Sequence, residues 1–264
     1  MDNTLILGYI GALVVGLVLG LIGGGGSILT VPLLVYLLGY NPIIATAYSL
    51  FVVGTTSLVG TFQKYRKGLV DIKTGLAFSF PSFLAVYLSR RFLVPNIPDT
   101  LLSLGNNLTL TKEMGIMIFF SIIMLISSIS MIKNKRSNKT SKEKQAYYKT
   151  FIQGLIIGTI TGIIGAGGGF LYVPALVLWA NIPMKKAVGT SLIIVSINSL
   201  IGFIGDVQTL EIEWTFLILF TLTSVLGILI GVFLSKYISG KKLKKSFGFF
   251  TLIMAIYIIY RETN

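Results

Sequence analysis

Runs of about 18 or more apolar residues follow one another along the whole 264-residue chain, and a run of that length is what an α-helix needs to cross the hydrocarbon core of a bilayer. No water is present there to pair backbone N–H and C=O groups, so such runs must close their own hydrogen bonds as helices. Only 12% of the residues are charged, against 54% hydrophobic, too few to cover the surface of a soluble helical protein. The sequence therefore predicts an all-α polytopic membrane protein. The opening residues MDNT carry no basic stretch and no small-residue cleavage site, so no removable signal peptide is expected.

Two of the apolar runs are interrupted by glycine. The first reads GLIGGGGSILTVPLLV from Gly20 to Val35, and the second GIIGAGGGFLYVPALV from Gly162 to Val177. Each glycine costs about 1 kcal/mol inside a helix, so an apolar helix is broken twice. In order, the first half reads as a helix over 5–22, the glycines, a short apolar segment over 28–38, a turn at 39–42, and helices over 43–62, 74–93 and 114–132. Pro81 falls inside the fourth of these segments as a kink, and 94–112 reads as a loop. The second half repeats the plan over 151–164, 170–180, 187–204, 214–234 and 247–260. Residues 133–149, with seven Lys/Arg against Glu143 alone, read as a polar linker. The expected organisation is a first repeat over 1–132, the linker, and a second repeat over 150–264.

With a shift of 142 and no gaps, 17 of the 41 positions from Gly20 to Gly60 are identical in the second half. The match pairs Ser49 with Ser191, Ser57 with Ser199, and Asp71 with Glu213. Two like halves are a common plan for secondary transporters. Charge decides their relative direction. If each broken segment crosses the membrane once, the halves are parallel, and 12 Lys/Arg fall inside against 10 outside. If each broken helix goes in and comes back, the halves are inverted, and the count is 18 inside against 4 outside (Arg90, Arg91, Lys112 and Arg261). The excess of basic residues in cytoplasmic loops selects the second arrangement. Two inverted repeats are thus expected, each with a glycine-broken first helix pair plus three spanning helices. The linker is placed in the cytoplasm and both termini outside.

Backbone broken at membrane depth must be buried in protein or line a cavity. New helices are expected to start after the breaks, at Ile28 and Phe170, with bare N–H groups and the positive end of the dipole. Two such ends converging near the centre suit a small anion. The candidate substrate-binding residues are Gly23, Gly24, Gly25, Gly26 and Ser27 at the first break, and Gly165, Gly167, Gly168 and Gly169 at the second. Ser49 and Ser57, with Ser191, Asn198 and Ser199, supply hydroxyl and amide groups on the helices that follow. For any one serine, bonding to its own helix backbone is the plainer reading. The duplication of the whole glycine motif favours function over packing.

Other chemistry is excluded by absence. The chain has no cysteine or histidine, so thiol chemistry and the usual zinc sites are out. All nine Asp/Glu fall in expected loops or segment ends, which leaves no mid-helix carboxylate for a proton relay and no oxygen cage for a metal cation. Asp71 and Glu213 are expected to cap the helices that follow them. No hydrolase constellation is present, so no enzyme, cofactor or metal is expected. The net charge of +13 follows from membrane topology and does not indicate nucleic acid. The expected partners are a small anion and the lipid bilayer, and small-residue helix faces would permit a homodimer.

The glycine motif, the following V-P and the second copy half a chain later resemble the sulfite exporter TauE/SafE family of membrane permeases. The acidic residue before the third full helix of each half, in LVDIK and EIEWT, fits the same pattern. The resemblance implies an inner-membrane permease of small sulfur-containing anions such as sulfite or an organosulfonate. One departure is Ala166, which stands where the first copy has Gly24. A carrier of another solute or a cation, or a membrane protein that only binds partners, are the rival readings.

Overall fold

The computed structural model describes residues 3–104, 108–133, 147–208 and 210–263. The greater part of the expected linker lies outside these residues. Among the described residues ten α-helices run in chain order: α1 (Asn3–Ile22), α2 (Gly25–Pro32), α3 (Pro42–Arg66), α4 (Ile72–Leu88), α5 (Lys112–Ile132), α6 (Tyr147–Ile164), α7 (Gly169–Leu178), α8 (Met184–Val207), α9 (Trp214–Leu234) and α10 (Gly240–Thr263). Wider π-helical turns extend α2 over Leu33–Leu37 and α4 over Ser89–Leu93. Seven helices are long and apolar enough to cross a membrane among the described residues: α1, α3, α4 with its π turn, α5, α8, α9 and α10.

Local chemistry sets several helix starts. The Asn41 side chain accepts from the Ile43 N–H at 2.8 Å, with Pro42 in the first helical position of α3. Asp71 accepts from the Thr74 N–H and caps α4, as expected. Glu213 does not cap α9. Its carboxylate accepts from the Tyr40 hydroxyl, and its backbone N–H donates to Tyr48 at 2.8 Å.

Three expectations are corrected. The helices after the breaks begin earlier than Ile28 and Phe170. Gly25, Gly26 and Ser27 belong to α2, with Gly26 packed on Val15 and Leu19 of α1, and Gly169 opens α7. The helix expected to end at residue 62 continues to Arg66, which carries Lys64 from a basic loop into a buried helical turn. The expected loop at 94–112 contains an antiparallel hairpin, Thr100–Leu104 paired with Leu108–Thr111.

The small-residue faces are consumed inside the molecule. Gly16 and Gly20 of α1 lie against the backbone of Ser224, Ile228 and Gly231 in α9, while Gly227 and Gly231 lie against Leu13 and Leu17. Close backbone approach of this kind needs glycine. Gly154, Gly158 and Gly162 of α6 do the same against Pro81, Ser82 and Ser89 of α4 and its π turn. In both pairs the residue numbers rise together, so α1 runs parallel to α9 and α6 parallel to α4. The equivalent helices α3 and α8 cross the other way: Gly54 meets Leu200, and Gly202 meets Leu50. The segment after the first break runs back along α1, with Gly26 beside Leu19, Gly11 beside Leu33 and Gly8 beside Leu38. α5 and α10 pack on each other, where Gly248 meets Ile132, and α5 ties down the second break through Ser127, whose hydroxyl donates to the Phe170 carbonyl at 2.8 Å.

Candidate functional site

The two glycine breaks meet at the waist of the molecule. α1 ends at Ile22 and the chain turns at Gly23, where φ is +82°. Left-handed backbone of this kind favours glycine. A Cβ on Gly24 would overlap the backbone of Gly169, and one on Gly169 would overlap Gly24. The second break turns at three left-handed glycines, Gly165, Gly167 and Gly168, with Ala166 fully buried among them.

Around this crossing the structure places most of the expected site residues, in two groups. The first group holds Gly23 and Gly167 with polar residues of α3 and α8. Gly23 lies against Ser191 of α8: a Cβ there would stand 2.8 Å from its Oγ. Gly167 lies against Ser199 in the same way, with Val53 of α3 on its other side. The Oγ atoms of Ser49, Ser57 and Ser199 and the Oδ1 of Asn198 are buried without a hydrogen-bond partner. An unpartnered buried hydroxyl or amide costs about 1–3 kcal/mol, and of these four groups Ser199 lies directly beside a break, at Gly167. Ser191 instead donates to the Val188 carbonyl at 2.9 Å.

The second group lies in and beside the broken segments. Gly26 faces Val15 and Leu19 of α1, and its counterpart Gly168 faces Thr161 of α6. Gly25 and Ser27 lie in the first turn of α2. Gly165 sits against Thr46 and the guanidinium of Arg90.

Two polar clusters flank the waist that sequence reasoning missed. Arg90, on the π turn after α4, is 2% exposed and binds Asp206 of α8 with Nε at 2.9 and 2.8 Å and Nη2 at 2.6 Å. Nη2 also donates to Thr46 Oγ1 at 3.1 Å. Arg90 is expected among the four outside charges and Asp206 in a loop beyond the helix over 187–204. Both are inside because α8 runs to Val207 and the wide turn swings Arg90 under it. On α7, the Tyr172 hydroxyl meets Ser82 of α4, and Asn198 Nδ2 donates to both, at 2.9 Å to Ser82 and 2.8 Å to Tyr172. This knot ties the helix after the second break to α4 and α8. The sequence held one hint of the first cluster: Asp206 stands 142 residues after Lys64, opposite in sign. For Tyr172 and Ser82 it held none.

No group of three or more potential metal ligands occurs among the described residues. The candidate site is made of glycine backbone, hydroxyls and one amide, among helices long and apolar enough to cross a membrane. That is the construction of a membrane transporter for a small solute. The family model for the sulfite exporter TauE/SafE matches residues 8–258, so the chain belongs to the sulfite exporter TauE/SafE family. It is 29% identical over 255 residues to a probable membrane transporter protein of Xylella fastidiosa, covering 94% of this chain and 92% of that one. It is 27% identical over 276 residues to the probable membrane transporter protein YunE of Bacillus subtilis, covering 94% and 92%. A probable membrane transporter protein of Haemophilus influenzae is 28% identical over 270 residues, covering 94% of each. No solved structure matches the chain.

Proposed function

We propose that the protein is a secondary permease that moves a small anion, sulfite or an organosulfonate, across the cell (inner) membrane by alternating access. The observation that carries this reading is the meeting of the two breaks, with Ser191 and Ser199 of α8 against Gly23 and Gly167, on helices α3 and α8 that also hold buried polar groups without partners, Ser49, Ser57, Ser199 and the Asn198 carbonyl. The anion is held by the first N–H groups of α2 and α7 and by these side chains. A helix N-terminus offers such donors at a positive dipole end, and no side-chain charge is needed to hold the ligand.

Alternating access in this reading rests on two inverted repeats, residues 1–132 and 150–264, joined by the cytoplasmic linker 133–149. The support is directional. The equivalent helices α3 and α8 run antiparallel, while α1 pairs with α9 and α4 with α6 in parallel. An axis lying in the membrane plane relates helices in this manner. The return of the chain along α1 supports an odd number of passes for the first half, and an odd number in each half agrees with the 18 to 4 distribution of basic residues.

The test is flux in proteoliposomes holding only this protein, with sulfite, sulfoacetate, thiosulfate, sulfate and acetate, with and without a sodium or pH gradient. Saturable movement of a sulfur anion is expected. Movement of cations or neutral solutes that ignores every added anion would overturn the substrate class, and no flux from folded protein would favour a partner-binding role.

A further inference from the structure

The residue 142 positions before Asp206 is Lys64, and its surroundings are the reverse of those of Asp206. Lys64 is 2% exposed, in the last turn of α3 where that helix meets the start of α8 and the end of α9. Its Nζ donates to the Ser235 hydroxyl at 2.7 Å. Among the described residues, no carboxylate lies within ion-pair distance of it. The nearby charges are cations: Lys67, whose Nζ reaches the Val232 carbonyl at 3.5 Å, and Lys185. Asp71, which follows α3, pairs with Lys186 instead, 3.7 Å apart and part-exposed. A buried ammonium without a counter-charge is costly. Asp206, at the equivalent place in the other half, meets that cost with Arg90.

Lys64 also ends a polar stripe. Ser49, Thr56, Gly60 and Lys64 recur at helical spacing on one face of α3, with Ser57 and Thr61 beside them. The hydroxyls of Ser49, Thr56, Ser57 and Thr61 are all buried without a partner. The stripe spans about 22 Å from Ser49 to Lys64 at the rise of an α-helix. Its image on α8 is Ser191, Asn198, Ser199 and Asp206. Because α3 and α8 cross antiparallel, the two stripes leave the waist toward opposite faces. One ends in a carboxylate already neutralised, the other in a lysine that is not.

We infer that Lys64 is a second anion-binding residue, which receives the small inorganic or organic oxyanion between the waist and the face carrying Lys185 and Lys67. The inference rests on the reading of the chain as a small-anion permease. The Ser235 and Thr61 hydroxyls complete the site. A lipid headgroup does not fit it, since Lys64 is enclosed by α3, α8 and α9.

The experiment uses the full-length protein in nanodiscs of zwitterionic lipid, with radiolabelled sulfite and sulfoacetate as probes, and proteoliposome flux alongside. Lys64→Gln should weaken binding of the transported anion about tenfold or more, as loss of a charged hydrogen bond does, and should slow flux, while Lys64→Arg keeps most of both. Ser235→Asp places a carboxylate beside Lys64 and should produce the same loss with the lysine still present. It decides the question in the same way where Lys64→Gln does not insert. Wild-type affinity and flux in Lys64→Gln or Ser235→Asp would overturn the assignment of Lys64 and leave the permease reading standing. A wild-type protein that neither binds nor moves these anions contradicts the permease reading, and the Lys64 site falls with it.

Discussion

Gly24 and Gly169 touch backbone to backbone, each occupying the space a side chain on the other would need. One closes the first break and the other opens α7 after the second. The contact joins the halves where the chain carries no side chains at all. Gly24→Ala should therefore destabilise the protein by about 1–3 kcal/mol, the usual cost of overpacking. Gly39→Ala, where nothing lies within 4 Å, bears only the backbone strain of its positive φ. Thermal unfolding in detergent, followed by the loss of monodisperse protein, checks the difference.

The buried pair of Arg90 and Asp206 makes its own prediction. Removing one partner leaves the other charge buried, at a cost of about 3–5 kcal/mol. Arg90→Met and Asp206→Leu should each lower thermal stability sharply. The double variant should recover most of it, because two apolar side chains replace two charges. Additive losses in the double variant would show that the pair is not coupled.

The knot of Tyr172, Ser82 and Asn198 is a network, so its members should act non-additively. Tyr172→Phe removes the hydroxyl that Asn198 and Ser82 share and should cost about 1–3 kcal/mol. In that background Ser82→Ala removes the remaining acceptor of Asn198 Nδ2, so its cost should differ from its cost in the wild type. Strictly additive losses in the double variant would contradict the network.

Much of this architecture is legible in the sequence because a bilayer leaves few choices. Runs of about 20 apolar residues must be helices, and the repetition of the glycine motif marks the waist. Ser49, Ser57 and Ser199 were chosen by repeat matching, and they are buried without partners. Arg90 and Lys64 were misplaced for one reason. A charged residue at the end of an apolar run reads as solvent-exposed, and only the packing of α8 and α9 shows that these two turn inward. The hairpin at Thr100–Leu104 and Leu108–Thr111 had a local signal, the alternation LTLT after Gly105-Asn106-Asn107, which the prolines before it obscured. The expected capping by Glu213 failed because Tyr40 and Tyr48 of the other half engage that residue first.

The natural chain has no cysteine, so single cysteines report sidedness cleanly. Ser239→Cys, between α9 and α10, should resist a membrane-impermeant maleimide in intact cells and react after permeabilisation. Asn96→Cys, beyond the end of α4, should react in intact cells. The reverse pattern, or labelling of both from outside, would contradict the inverted arrangement.

The account stands or falls on whether a sulfur anion passes through the waist. The direct measurement is the initial rate of sulfite uptake into proteoliposomes containing only this protein, wild type against Gly167→Leu. Gly167 has φ of +67°, and a Cβ there would stand 2.8 Å from both Ser199 Oγ and Val53 Cγ1, so leucine would fill the site. The account predicts saturable wild-type uptake that the variant loses while still inserting in the membrane. Equal uptake by the two proteins would contradict it, as would a folded wild type that moves no sulfur anion.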